Sequence, residues 1–322
     1  MTQFQRLAGV AAVTLCFHAT DAVAEPAREM TPINIGGARL NVTLEPAVFE
    51  LPDDALATWV QRSAEAVVTY YGRFPVPTAD IRLRASAGSK VRTGRMFGGA
   101  VPKLQISVGE ASTRPALRRD WVLVHEMVHT AFPDVPYHQN WIEEGLAVYV
   151  ESIARMQAGH LSPEFVWGGF VRGMPNGLPQ PGDEGLDRTD SWGNRYWGGA
   201  LFCLLADLEI RRRSDNRLGL QHALRAILEA DLDHRRTGSI TQAFRIADQA
   251  TGTSVLMELY EARRDTAVAT DLDKLWRQLG VRIKDGKVIL DEHAPEAHLR
   301  IAISDLPPGH NESRRRSSHR HQ

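Results

Sequence analysis

Three segments in the first third of the chain alternate apolar and polar residues. Alternation with a period of two is typical of half-buried β-strands, because successive side chains of a strand point to opposite faces. The alternating segments are residues 33–44, 80–85 and 103–108. The second and third predicted strands flank a glycine turn at Gly98 and Gly99, and we expect the third strand to form an edge of the sheet.

Most of the remaining chain follows the 3.6-residue hydrophobic period of amphipathic helices. The first helix should begin at Asp53 and Asp54, whose carboxylates suit a helix N-terminus, and run to about residue 71. Further helices are predicted over residues 118–132, 141–157, 196–213, 218–230, 240–250, 254–264 and 272–279. Near the end, an Asp-Gly pair between two short apolar runs predicts a β-hairpin over residues 281–290. Together these elements predict an α+β fold.

Composition places the chain among ordinary globular proteins. Of its 322 residues, 43% are hydrophobic and 24% are charged, which excludes collagenous, disordered and coiled-coil proteins. The 38 Lys and Arg residues are balanced by 39 Asp and Glu residues, so the chain offers no strongly basic surface and we expect no nucleic-acid partner. The two cysteines, Cys16 and Cys203, cannot form a disulfide framework.

The first 24 residues have the pattern of a secretory signal peptide. Arg6 is a short positive region, residues 7–17 are apolar but too few to cross a bilayer, and Ala22 to Ala24 form a small-residue cleavage site. We expect cleavage after Ala24 and a periplasmic or secreted protein. The alternative is an apolar N-terminal core helix. No later segment has the ~18 uninterrupted apolar residues of a membrane span, so we expect none after cleavage.

Residues 125–129 have the pattern H-E-x-x-H within an apolar predicted helix. Four residues advance a helix by about 6 Å and rotate it by about 400°, so His125 and His129 project from one face, as a zinc site requires. Glu126 lies about 100° around the helix from His125, where a general base for a zinc-activated water must stand. The alternative is a pair of core histidines that bind no metal.

A catalytic zinc site needs a third protein ligand. The metzincin continuation of the motif is absent, because Phe132 and Val135 occupy its glycine and third histidine positions. The next predicted helix should return antiparallel and bring a carboxylate towards His129. Glu143 and Glu144 both lie near its start, and the helical period does not choose between them. Either carboxylate can close the site.

The combination of motifs resembles a known family. The H-E-x-x-H pattern followed by W-x-x-E-G-x-A-x-Y-x-E at residues 141–151 is similar to the gluzincin metallopeptidases, in particular the glycyl aminopeptidase and aminopeptidase N families. Residues 196–201 are similar to the Y-x-K-G-A helix start of those families. The resemblance implies zinc ligation by His125, His129 and Glu144, a general base at Glu126 and an oxyanion-stabilising phenol at Tyr196.

The resemblance also implies a fold and the roles of nearby residues. The fold is the thermolysin-like zincin fold, in which a small mixed β-sheet packs on the active-site helix and a mainly helical lobe follows. With Glu144 as the ligand, Glu143 is interpreted as a solvated carboxylate near the helix N-terminus. We interpret Tyr149 as core packing and Glu151 as support for a zinc-binding histidine.

Three features depart from the family pattern. Only 14 residues separate His129 from Glu144, fewer than in aminopeptidase N, and Gly198 replaces the usual lysine of the tyrosine motif. The turn over residues 98–102 lacks the glutamate with which those aminopeptidases hold the free amino group of a substrate. The zinc chemistry of the family therefore transfers to this sequence, and the aminopeptidase specificity does not.

The sequence thus predicts an exported zinc-dependent metallopeptidase with one zinc ion per chain and a peptide or protein substrate. The alternative is a non-catalytic zinc-containing protein that binds peptides or proteins on a peptidase scaffold. We assign residues 25–157 to the sheet and zinc-binding helices and residues 158–304 to a mainly helical lobe with the hairpin. Residues 305–322 should be a disordered tail, because they are too polar to bury a core.

Overall fold

A computed structural model describes residues 27–45 and 49–305. The predicted signal peptide and the predicted tail after residue 305 lie outside the described residues. Within the described part, none of the helices combines the length and the hydrophobicity that crossing a bilayer would require.

A mixed six-stranded sheet forms the first layer of the fold, as predicted. The strands follow the order β1-β3-β4-β6-β5, and β2 pairs with β3 outside this path. The β3-β4 and β4-β6 pairs are parallel, and the other pairs are antiparallel. The strands are β1 (Arg28–Glu29), β2 (Ile33–Ile35), β3 (Ala38–Leu44), β4 (Thr78–Ser86), β5 (Val91–Phe97) and β6 (Lys103–Gly109).

The expectation that residues 103–108 form an edge strand was wrong. Those residues belong to β6, which lies between β4 and β5, and β5 forms the edge. Strand β5 was not predicted, because none of its residues is buried and it therefore lacks the apolar alternation of a half-buried strand.

The helices account for most of the remaining chain. They are α1 (Asp53–Tyr71), α2 (Arg114–Arg119), α3 (Val122–His129), α4 (Asn140–Gln157), α5 (Pro163–Gly173), α6 (Gly199–Arg213), α7 (Leu220–Glu229), α8 (Ile240–Thr251), α9 (Val255–Arg263), α10 (Leu272–Leu279) and α11 (Ala297–Ser304). The predicted hairpin is confirmed as β7 (Val281–Lys284) and β8 (Lys287–Leu290). Helix α4 packs against α1 and α3, and also against α6.

The predicted helix over residues 118–132 is two helices, α2 and α3. Asp120 separates them, because its carboxylate accepts hydrogen bonds from the Val122 and Leu123 backbone N–H groups at 3.0 and 3.2 Å and starts a new helix. Helix α5 was not predicted, although its signal is present. The Ser162 hydroxyl accepts a hydrogen bond from the Phe165 N–H group at 3.3 Å, and proline follows the serine.

Candidate metal centre

Helix α3 carries the three residues of the H-E-x-x-H motif. Most of its side chains are buried, and it packs against β5 and β6, so the sheet covers one side of the helix. His125 and His129 lie one helical turn apart, and the centroids of their imidazole rings are 4.8 Å from each other. Local helical geometry therefore places both rings on one face, as the spacing predicted.

Helix α4 supplies the carboxylate that faces the two histidines. The Glu144 Oε2 atom lies 3.1 Å from His125 Nε2 and 3.6 Å from His129 Nε2. One potential ligand atom from each of the three residues lies within 4.8 Å of the other two. The structure thus brings His125, His129 and Glu144 together, and it directs the neighbouring Glu143 elsewhere.

The chemistry of this group fits a zinc ion. Two imidazole nitrogens and one carboxylate oxygen are the three protein ligands of a catalytic zinc site, which leaves a fourth position open. The group borders a cavity of about 540 Å³, which has room for a water molecule and a substrate. Burial opposes ionisation of Glu144, yet its contacts with His125 and His129 hold the pKa of its carboxyl below the usual range. An ionised carboxylate is the form that binds a metal.

Glu126 lies beside the metal-binding group and under the edge strand. Its side chain is buried, and a Cβ atom at Gly94 of β5 would lie only 2.4 Å from Glu126 Cγ. Burial raises the pKa of the Glu126 carboxyl, while His129 and the Met96 N–H group oppose that rise. A carboxyl with a raised pKa is suited to accept and return a proton near neutral pH.

Tyr196 approaches the group from a π-helical turn, Gly193–Gly198, which precedes α6. This turn replaces the first turn of the predicted helix over residues 196–213. The Tyr196 ring stacks on the His125 ring with centroids 6.3 Å apart and an angle of 16° between the planes. Burial and the Glu144 carboxylate raise the pKa of the Tyr196 phenol to about 12. The phenol therefore keeps its proton near neutral pH and can donate a hydrogen bond.

One end of the cavity is acidic and was not anticipated. Glu143 is buried there, so the interpretation of Glu143 as a solvated carboxylate was wrong. It accepts a hydrogen bond from Asn140 Nδ2 at 2.8 Å, and its Oε1 atom lies 3.8 Å from His234 Nδ1. Burial raises the pKa of Glu143 to about 7, and the charges of Asp134 and Glu144 add to the rise. His234 follows α7, so no local motif links it to residues 125–129.

Two other interpretations have different outcomes. Tyr149 is fully buried and donates a hydrogen bond to Asp207 Oδ2 at 2.8 Å, which confirms it as core packing. Glu151 instead pairs with Arg155 at 3.1 Å, so its interpretation as support for a histidine was wrong. Among the residues that the structure describes, the buried His125 Nδ1 atom has no hydrogen-bond partner.

The edge strand that borders the cavity carries no carboxylate. Its sequence is Val-Arg-Thr-Gly-Arg-Met-Phe, and Gly94, Arg95 and Met96 border the cavity. The predicted lack of a glutamate in the turn over residues 98–102 thus extends to β5 itself.

Comparisons with known proteins identify the fold. No family model and no curated protein matches the chain. An aminopeptidase N family protein from Idiomarina loihiensis matches with a TM-score of 0.58 and 14% identity, over 80% of this chain and 50% of that chain. An M1 zinc metallopeptidase mutant from Deinococcus radiodurans, bound to a Tyr-Ser-Ala substrate, matches with a TM-score of 0.51 and 14% identity, over 76% and 53% of the two chains.

A third match gives the same result. Native yeast LTA4 hydrolase matches with a TM-score of 0.51 and 14% identity, over 75% of this chain and 40% of that chain. The chain spans about half the length of the M1 structures that it matches. At this identity the likeness shows the fold, a mixed sheet with a helical lobe similar to M1 peptidase domains. The predicted resemblance to the aminopeptidase N group is thus confirmed for the fold.

Proposed function

We propose that the protein is a zinc-dependent metallopeptidase with a thermolysin-like zincin architecture. The observation that carries this proposal is the arrangement of His125, His129 and Glu144, whose candidate donor atoms lie within 4.8 Å of one another at the wall of an open cavity. Glu126 stands beside this group without belonging to it. The fold shared with M1 zinc metallopeptidases supports the same function.

Each residue in and around the metal-binding group has its own role in amide hydrolysis. His125, His129 and Glu144 would hold one zinc ion per chain. Bound zinc supplies a Lewis acid that makes water acidic and polarises a carbonyl group. Glu126 accepts the proton that the attacking water loses and passes it to the leaving amine. The Tyr196 phenol donates a hydrogen bond to the oxyanion that develops on the scissile carbonyl.

The exposed edge of the sheet supports a peptide as the substrate. Strand β5 pairs with β6 on one side, and its other side borders the cavity through Gly94 and Met96. An edge strand presents unpaired backbone N–H and C=O groups, and an extended peptide binds such an edge by adding a strand. This mode aligns a peptide bond beside Glu126. The substrate class is therefore a peptide or an extended protein segment.

The proposed enzyme is exported, because the first 24 residues have the pattern of a cleavable signal peptide. The second candidate function is a non-catalytic zinc-containing protein that binds peptides. Such a protein would need the three ligands and the cleft, but a buried carboxylate beside the ligands would only cost stability. The burial of Glu126 next to the group thus favours the enzyme.

Hydrolysis of a peptide mixture by the zinc-loaded protein tests the proposal. We expect new amino termini to appear with the zinc-loaded protein, to stop after removal of zinc by a chelator and to return when zinc is restored. Binding of peptides without hydrolysis, at full zinc content, would support the non-catalytic alternative instead. Hydrolysis that persists after complete loss of metal would refute both.

A further inference from the structure

Strand β5 connects the metal-site cavity to a second groove. Gly94 and Met96 border the cavity, whereas Val91, at the start of the same strand, borders a groove of about 480 Å³. Trp121 lines this groove, and its ring centroid is 5.4 Å from that of His125. The groove therefore lies next to the candidate active site, along the same edge strand.

The second groove combines an apolar floor with a basic rim. We name it the Trp121 groove, and its apolar residues are Val91, Pro115, Ala116 and Trp121. The Trp121 indole is 49% exposed, which is unusual for a residue of this size. Tryptophan is enriched at binding interfaces, because its indole offers a large apolar contact area and an N–H donor.

The basic rim consists of Lys90 and Arg119. Both are exposed, and within the part of the chain that the structure describes neither side chain forms an ion pair. Asp120 also lines the groove, but its carboxylate accepts the hydrogen bonds that begin α3. The opposite end of the cleft carries the carboxylates of Asp134 and Glu143. Arg95 and Arg195 also border that cavity, so it carries charges of both signs, whereas the rim of the Trp121 groove is basic.

We propose that the Trp121 groove binds the part of a peptide substrate that follows the scissile bond and recognises a carboxylate there. The proposal rests on the proposed peptidase function. A peptide paired antiparallel with β5, the more stable arrangement, runs its C-terminal part towards Val91. A carboxylate is attracted by Lys90 and Arg119 in the groove, whereas Asp134 disfavours it in the metal-site cavity. The apolar floor receives the side chain that precedes this carboxylate.

Two sources supply such a carboxylate: the C-terminus of a short peptide or an Asp or Glu side chain of a longer one. The test therefore compares three matched peptides by calorimetry. Their sequences are Ala-Ala-Leu-Ala with a free C-terminus, the same peptide with a C-terminal amide, and Ala-Ala-Leu-Asp amide. The protein is the zinc-loaded Glu126→Gln variant, which is expected to bind peptides without cleaving them.

At least one peptide with a carboxylate should bind about three- to tenfold more tightly than the neutral amide, because Lys90 and Arg119 both attract it and each exposed charge pair contributes at most about fivefold. The preference should shrink at high salt and disappear in Lys90→Gln/Arg119→Gln. Arg118→Gln is the matched control, because Arg118 is an exposed neighbour on α2 outside the groove, and it should keep the preference. The peptide that benefits identifies the source of the carboxylate.

Equal affinity for the three peptides, including no detectable binding of any, would overturn the proposal, as would an unchanged preference in the double variant. Failure of the proposed peptidase function can be distinguished from failure of the proposed role of the groove. If the wild type hydrolyses no peptide but the carboxylate preference persists in the binding assay, the proposed peptidase function is wrong and the proposed role of the groove stands. If the wild type hydrolyses peptides but the binding assay shows no carboxylate preference, the proposed role of the groove is wrong and the peptidase function stands.

Discussion

Gly145 of α4 and Gly199 of α6 lie in direct backbone contact. A Cβ atom at Gly145 would lie 2.3 Å from the carbonyl carbon of Gly199, closer than any side chain tolerates. The contact lets the two helices cross at this point. Glu144 precedes the first glycine and Tyr196 stands three residues before the second, so the crossing brings the third metal ligand and the phenol together.

Gly145→Ala should separate α4 from α6 at this crossing. Because the backbone of Gly199 cannot rotate away from the added methyl group, we expect a loss of stability of about 1–3 kcal/mol, typical of overpacking. Zinc affinity should fall as well, since the shift moves Glu144 away from His125. Urea unfolding and a zinc titration of the same variant measure the two effects. Wild-type stability would show that the helices do not meet at these glycines.

Gly169→Ala provides the matched control for this substitution. Gly169 lies within α5, and a Cβ atom there would meet no atom within 4 Å. Alanine is favoured over glycine in a helix by about 0.5–1 kcal/mol, so this variant should be slightly more stable than the wild type. Zinc affinity should remain unchanged.

Glu144→Gln and Glu143→Gln should show which of the two adjacent carboxylates binds zinc. Glu144 faces both histidines, whereas Glu143 faces Asn140 and His234. Loss of a residue that only supports a metal ligand typically lowers metal affinity by roughly 10- to 100-fold. Loss of a ligand itself should lower it further. We expect a weakening of zinc binding by more than about 100-fold for Glu144→Gln and less than about 10-fold for Glu143→Gln. Competition with a chelator measures both values, and the reverse order would assign the ligand to Glu143.

Gly94→Ala should displace the general base. The added methyl group would lie 2.4 Å from Glu126 Cγ and 2.8 Å from Val122 Cγ1, so the glutamate side chain must move. A misplacement of about 1 Å costs about 10²-fold in rate. We expect that loss of turnover at unchanged zinc content. Thr93→Ala, at an exposed position of the same strand, should keep wild-type turnover. Equal rates for the two variants would mean that Gly94 does not hold Glu126 in place.

Tyr196→Phe should lower the catalytic rate by about 10²–10³-fold, the usual loss for one oxyanion donor, with zinc content and substrate affinity nearly unchanged. Tyr137→Phe is the control, because the Tyr137 phenol is exposed and contacts Arg195 near the cleft, outside the metal-binding group. Steady-state kinetics and a thermal melt of both variants decide the role. A shifted melt with unchanged turnover in Tyr196→Phe would make that residue structural.

The sequence predicts the parts of the site that depend on local geometry. His125, Glu126 and His129 share one helix, so their spacing alone places both imidazoles on one face. The choice of Glu144 over Glu143 depends on how α4 crosses α3. That crossing is a tertiary feature, and only the resemblance to the gluzincins pointed to Glu144.

Other parts of the site had no local signal. Strand β5 has no buried residue, so hydrophobic alternation does not reveal it, and its place beside Glu126 follows from pairing with β6. His234 comes more than 100 residues after His129 and reaches the cavity through packing of the helical lobe. The Gly193–Gly198 π-turn has no hydrophobic period that separates it from the helix that follows it.

We propose that Glu126 is the base of a zinc-dependent peptide hydrolysis. Turnover of the zinc-replete Glu126→Gln protein, measured beside the wild type at equal zinc content, tests this role of Glu126. The amide cannot accept the proton of the attacking water, so the variant should keep its zinc and its fold and lose at least about 10²–10⁴-fold in rate. Wild-type turnover in the zinc-replete variant would exclude Glu126 as the base.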